Sequence, residues 1–151
     1  MRNTDLYGVG GWLLLLSLIL IVLFPASMLF DLILGWYRGM NGYFDLLEGY
    51  RNFYIADTPL KIYLIFLSIL AGWFIINRQL NGVAMAKVFL ISNVIIRFLN
   101  LVMPTLFAIQ ADMKYILEKD AAIHLAIALV TCVVVYAYLL MSKRVKYTVN
   151  L

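Results

Sequence analysis

Four apolar stretches without acidic or basic residues, or nearly so, recur along the chain, and short polar intervals separate them. Leu6 to Phe30 runs for 25 residues without a charge, more than enough at about 1.5 Å per residue to cross a hydrocarbon layer of about 30 Å. The first span is read as residues 11–33. Ile62 to Asn77 supplies 16 uncharged residues; Thr58 as N-cap, Pro59 at N1 and Lys61 as a snorkelling flank lengthen it to a span over 60–77. The third, 83–107, carries Lys87 near one end and Arg97 inside, and the fourth, 121–142, is uncharged throughout. The pattern predicts one all-α domain, a polytopic integral membrane protein whose four transmembrane helices form a bundle.

The connections differ in kind. Residues 77–82 form a tight turn that makes the second and third spans antiparallel neighbours. The stretch 35–58 is too long for a turn and is rich in rings, among them Trp36, Tyr37, Tyr43, Phe44, Tyr50, Phe53 and Tyr54. Aromatic side chains prefer the headgroup layer. Between Asn41 and Ile55 the rings fall on one helical strip and Asp45, Glu48 and Arg51 on another, so this outer element is either an interfacial amphipathic helix or a loop packed across the bundle mouth. Pro25, Ala26 and Ser27 loosely resemble a signal-peptide cleavage region. Apolar sequence resumes at Met28, however, and Arg2 is offset by Asp5, so Pro25 is read as a kink in a retained helix.

Composition closes off other classes. Apolar and aromatic residues make up 65% of the 151 and charged residues 13%, with a mean hydropathy of +0.95, which excludes a water-soluble globule. Cys132 is the one cysteine, so no intramolecular disulfide, multi-cysteine metal site or iron–sulfur cluster can form. The formal charge of +4 bears on topology before it bears on partners. Arg2, Arg78, Lys87, Lys143, Arg144 and Lys146 lie on one side and Arg38, Arg51, Lys61, Lys114 and Lys119 on the other, while every acid except Asp5 lies with the second group. Both termini are therefore placed in the cytoplasm.

The residues able to carry chemistry are few. Asn93, Arg97 and Asn100 stand at i, i+4 and i+7, a polar stripe on one face of the third helix, with Pro104 one turn on. An arginine at this depth is costly unless its head reaches a partner or the interface. It either snorkels or pairs with Asp31, Asp112 or Asp120 as interhelical glue, or it binds an anionic ligand, a lipid headgroup or a partner's acidic residue; Asp31 is the best-placed counter-ion by depth. His124 stands one turn after Asp120, a spacing that lets the carboxylate orient the ring as a proton relay, or that belongs to a capping or interface histidine. Gly82 with Ala86, and Ala122 with Ala126, form small-xxx-small pairs suited to close helix contact. The tail residues Lys143, Arg144 and Lys146 read as a stop-transfer anchor that touches anionic lipid. No phosphate-binding loop, zinc-protease motif or nucleophile elbow is present, and Gly8 to Gly11 imitates only part of a dinucleotide fingerprint. No cofactor, metal or nucleic-acid partner is expected.

Two ends of the chain resemble a family. Gly10-Gly11-Trp12-Leu13-Leu14-Leu15 followed by Pro25, and Ser142-Lys143-Arg144-Val145-Lys146-Tyr147-Thr148 at the close, look like the YdgK-like bacterial inner-membrane proteins, a domain of unknown function with four helices. The resemblance implies that fold, the inner membrane and a bacterial origin; it brings no activity and no catalytic residues. The expected function is a non-enzymatic accessory or interaction subunit of a membrane complex, in contact with membrane lipids and another membrane protein. The alternative is a small transporter, channel or lipid-binding protein that uses the stripe on the third helix. A third possibility, an intramembrane enzyme, needs Asp120 and His124 to meet a further polar group in a pocket. A cavity around Arg97 and the asparagines favours the second of these over the first.

Overall fold

The computed structural model describes residues 11–44, 49–77, 79, 81–107, 109 and 111–141, with the side chain of Tyr43 excepted. Four helices fill them, each long and apolar enough to cross a membrane: α1 (Trp12–Gly42), α2 (Tyr50–Ile76), α3 (Gly82–Leu106) and α4 (Ala111–Met141). α1, α2 and α4 extend beyond the spans read from the sequence at the end away from the termini, whereas α3 matches its span to within one residue at each end.

Proline chemistry shapes α1. Two departures from regular geometry mark it: a π-helical stretch at Ile19–Leu23, and a kink at its far end where Asn41 (φ −84°, ψ 25°) and Gly42 (φ 111°, ψ −11°) leave the helical region. In the first, the Phe24 N–H bonds the carbonyl of Ile19, five residues back. The next donor in that register would be Pro25, which has no N–H, so the Leu20 carbonyl is left without a partner in its own helix. The Ser68 hydroxyl of α2 donates to it. One turn further along α2, Gly72 allows the close approach: a Cβ there would run into Ile21 and come within 3.0 Å of the Ser17 carbonyl oxygen. The kink expected at Pro25 is thus a widened turn, locked by a side chain from the neighbouring helix.

The start of α2 corrects two expectations. Thr58 and Pro59 do not open the helix but lie inside it, because it begins at Tyr50. The Thr58 hydroxyl donates to the Tyr54 carbonyl at 2.7 Å and accepts from the Trp36 indole N–H at 3.0 Å, so it ties α1 to α2 instead of capping. Pro59 is exposed, and so is Ile55, whose carbonyl loses its helical donor to the ring. Of the two forms expected for the ring-rich segment, Tyr50 to Ala56 takes neither by itself: it forms the first turns of α2. Phe44, Tyr50, Tyr54 and Trp36 pack in edge-to-face and tilted pairs over the mouth between α1 and α2, and Gly35 leaves the space that the Tyr54 ring fills. Asp45 and Glu48 lie outside the described residues.

The turn between α2 and α3 is as tight as expected, closed by Gln79 N–H to Phe74 O and Gly82 N–H to Gln79 O, both 2.9 Å. Sequential helices are neighbours, α1 on α2, α2 on α3 and α3 on α4. The core they share includes Leu13, Leu20, Leu64, Ala71, Ile75 and Phe89, with Phe24 edge-on to Phe89 at 4.8 Å. The fourth helix leans on α3 and makes no comparable approach to α1; only 11% of its most apolar window is buried. Gly82 and Ala86 are buried at helix contacts, whereas Ala122 and Ala126 are exposed, which corrects the expectation that the second pair seals a contact. An all-round apolar helix loses nothing by facing lipid, so hydrophobicity does not close the bundle between its first and last members.

Candidate functional site

A cavity of about 180 Å³ lies among all four helices toward the end away from the termini. Its charged lining is Asp31 and Arg38 from α1, Asp57 and Lys61 from α2, Arg97 from α3, and Asp120 from α4, with Asn100 and His124 beside them. Three cations thus face three carboxylates.

Helical rise sets the level of each group. At 1.5 Å per residue, Asp31 lies about 28 Å along α1 from Trp12, Asp57 about 28 Å along α2 from Ile76, and Asp120 about 32 Å along α4 from Met141. The carboxylates therefore form a ring at one height. Lys61 is a turn deeper on α2, and Arg97 lies about 22 Å along α3 from Gly82.

The pairing within this ring is incomplete. Lys61 Nζ bonds Asp57 Oδ2 at 2.8 Å, and Asp57 is 2% exposed. Its other oxygen, Oδ1, has no hydrogen-bond partner, and neither has Oδ1 of the buried Asn100. Buried acceptors without donors are uncommon and costly. Arg97 is half-buried. Its Nη2 approaches the Met28 sulfur at 3.6 Å, and among the described residues no carboxylate oxygen comes within 4.0 Å of it. A weak sulfur acceptor occupies one of five guanidinium donors.

The structure separates the residues singled out in the sequence. Arg97 and Asn100 line the cavity; Asn93 is buried on the same helix but is not part of the lining, and its Oδ1 is likewise unpartnered. Asp31, expected as the counter-ion of Arg97, shares the cavity without contact, and Asp112 is exposed in the first turn of α4, away from it. Asp120 and His124 both line the cavity, both are exposed, and no hydrogen bond joins them. Lys143, Arg144 and Lys146 lie outside the described residues. The most buried charges among the described residues, Asp57 and Lys61, are not singled out by the sequence pattern, which places them in a loop and a flank. Their i, i+4 spacing was the available signal.

Lys87, the other cation inside α3, sits over the Tyr136 ring of α4 at 5.3 Å. That contact joins the last two helices far from the cavity. Among the described residues no cluster of three metal-ligating side chains is present.

Comparison with known proteins finds no matching curated protein and no matching solved structure. A family model described as Protein of unknown function (DUF2569) matches residues 6–149. With nearly its whole length covered by that match, the four-helix chain belongs to the DUF2569 family.

Proposed function

We propose that this chain is a non-enzymatic membrane protein that binds a small ligand bearing an acidic group in the cavity around Arg97. The reading includes a bacterial inner-membrane location, a YdgK-like affiliation and cytoplasmic termini, so that the cavity opens toward the outer face. One observation carries it: Arg97 lines a cavity with no carboxylate in contact, although Asp31, Asp57 and Asp120 all border the same space. An arginine that served only as interhelical glue would be paired by one of them.

The height of the site supports the same reading. A hydrocarbon layer of about 30 Å, measured from the terminal ends of the helices, ends at the ring of carboxylates. Charges there avoid most of the cost of burial in lipid, and a ligand can reach them from the headgroup layer. The accessory-subunit reading draws on the exposed length of α4, which a partner helix could cover and whose apolar middle carries one exposed polar side chain, Thr131.

Native mass spectrometry of the full chain, purified in mild detergent, tests this. The expected result is a phosphate- or carboxylate-bearing molecule retained at one per chain and lost in Arg97→Gln. A stoichiometric membrane protein retained instead, with no small acidic ligand on either variant, would return the function to an accessory subunit.

A further inference from the structure

Resting on that binding reading, we infer that the ligand is a zwitterionic phospholipid with a primary ammonium, of the phosphoethanolamine type, and that it enters sideways between α1 and α4. The charge balance of the cavity is the first reason. Three cations and three carboxylates line it, so a purely anionic ligand would answer Arg97 and leave the acids facing one another. A ligand with one phosphate and one ammonium answers both.

The orphaned atoms are the second reason. Asp57 Oδ1 and Asn100 Oδ1 are buried acceptors that lack donors, and both residues border the cavity. They call for N–H groups. A primary ammonium has three, whereas a trimethylammonium has none. The free guanidinium edge of Arg97 calls for an oxyanion that can accept two parallel bonds, and a phosphate diester supplies one.

Vertical order is the third. A phospholipid standing in the leaflet away from the termini carries, from the membrane centre outward, its chains, its phosphate and then its amine. The protein repeats that order in part, with Arg97 and Lys61 below, the carboxylates of Asp31, Asp57 and Asp120 about a turn above, and the third cation, Arg38, about two turns beyond Asp31 at the rim.

Access is the fourth. The fourth helix packs on α3 and not on α1. A second, apolar groove of about 370 Å³ lies between these same two helices at the opposite end, lined by Trp12, Leu15 and Ile19 of α1 and Val134, Val135 and Tyr138 of α4. The first and last helices are thus held apart near both ends. The seam between them is open to lipid, and the acyl chains can remain in the bilayer while the headgroup turns inward.

The test uses the full chain, stripped of lipid in mild detergent and then titrated with dioleoyl phosphatidylethanolamine, phosphatidylcholine or phosphatidylglycerol, or with soluble phosphoethanolamine, while bound molecules are counted by native mass spectrometry. One phosphatidylethanolamine per chain is expected, favoured by at least about tenfold over each other lipid, as the loss of one charge-assisted hydrogen bond implies. Arg97→Gln is expected to abolish retention. Asn100→Leu, which changes no charge, is expected to weaken phosphatidylethanolamine by several-fold and leave phosphatidylglycerol unchanged; this variant decides the matter if Arg97→Gln does not fold. Equal binding of phosphatidylcholine would overturn the ammonium assignment, and equal or tighter phosphatidylglycerol would reduce the site to a phosphate site, with the binding reading intact. Soluble phosphoethanolamine competing as well as the lipid would overturn lateral entry alone. No retained lipid or anion in the unmodified chain would sink both readings.

Discussion

Leu20 shows how one missing hydrogen is handled in a low-dielectric setting. Pro25 removes the donor that the π register would have aimed at its carbonyl, and Ser68 from α2 replaces it. Interhelical hydrogen bonds of this kind contribute about 0.6 kcal/mol on average and up to about 1.7. Ser68→Ala is therefore expected to destabilise by about 1 kcal/mol, whereas in a Pro25→Ala background, where an N–H is restored to α1, it should cost much less. Reversible unfolding in detergent micelles measures the cycle, and strictly additive effects would show that the serine does not serve that carbonyl. The same method applies to the charges. Asp57 and Lys61 touch at 2.8 Å and are buried, so removing either alone should cost about 3 kcal/mol or more and removing both much less. Asp31 and Arg97, which do not touch, should couple weakly, by under about 0.5 kcal/mol.

Helix ends depended on partners that periodicity does not reveal. A Thr-Pro pair before an apolar run is an ordinary start signal. Here the helix continues back through Pro59 to Tyr50 because Thr58 is engaged by Trp36 from another helix, and because the rings of Tyr50, Phe53 and Tyr54 pack on one another and on α1. Likewise Asp112 to Asp120, read as a polar connection, form the first turns of α4, where the Lys114–Glu118 pair at 3.8 Å runs along the helix and the Thr105 hydroxyl of α3 donates to Glu118 at 3.1 Å, tying them to the bundle. Small residues on the two later helices have different roles. Ala86 is 2% exposed, and Ala86→Leu is expected to cost about 2 kcal/mol or more through overpacking. Ala122→Leu and Ala126→Leu, on an exposed face, should stay within about 0.5 kcal/mol. A comparable loss at Ala126, measured by the same unfolding assay, would mean that something covers α4.

Four helices, each long and apolar enough to cross a membrane, place Asn41 and Asn81 at opposite ends of the bundle, and both are exposed; the proposed orientation puts Asn41 outside and Asn81 inside the cell. Single cysteines at these positions, in a Cys132→Ser background, should be labelled by a membrane-impermeant maleimide from opposite faces: Asn41→Cys in intact cells, Asn81→Cys only after lysis. Labelling of both from one face would overturn the crossing pattern and with it the height of the cavity. The open seam adds a further expectation. Paired cysteines across the buried α2–α3 contact should crosslink readily with a short bifunctional reagent, while pairs across α1 and α4 near His124 should do so poorly, and saturating phosphatidylethanolamine should lower that yield again. Equal yields for the two contacts would show that the seam is closed.

The number of helices, their apolar character and the tight second connection were all legible in the chain, because a hydrocarbon layer demands long uncharged segments and a six-residue link leaves no choice but an antiparallel return. The stripe on α3 was legible too, since spacing alone puts Asn93, Arg97 and Asn100 on one face. What spacing does not hold is distance between helices. Only packing decided that Asn93 leaves the cavity while Asn100 joins it, that Arg97 meets a sulfur in place of Asp31, and that Asp57 and Lys61 are buried beside them. Apolar helices in lipid pair through shape and a few polar contacts, with no solvent forcing them together, so which faces meet and which seam stays open is settled in three dimensions.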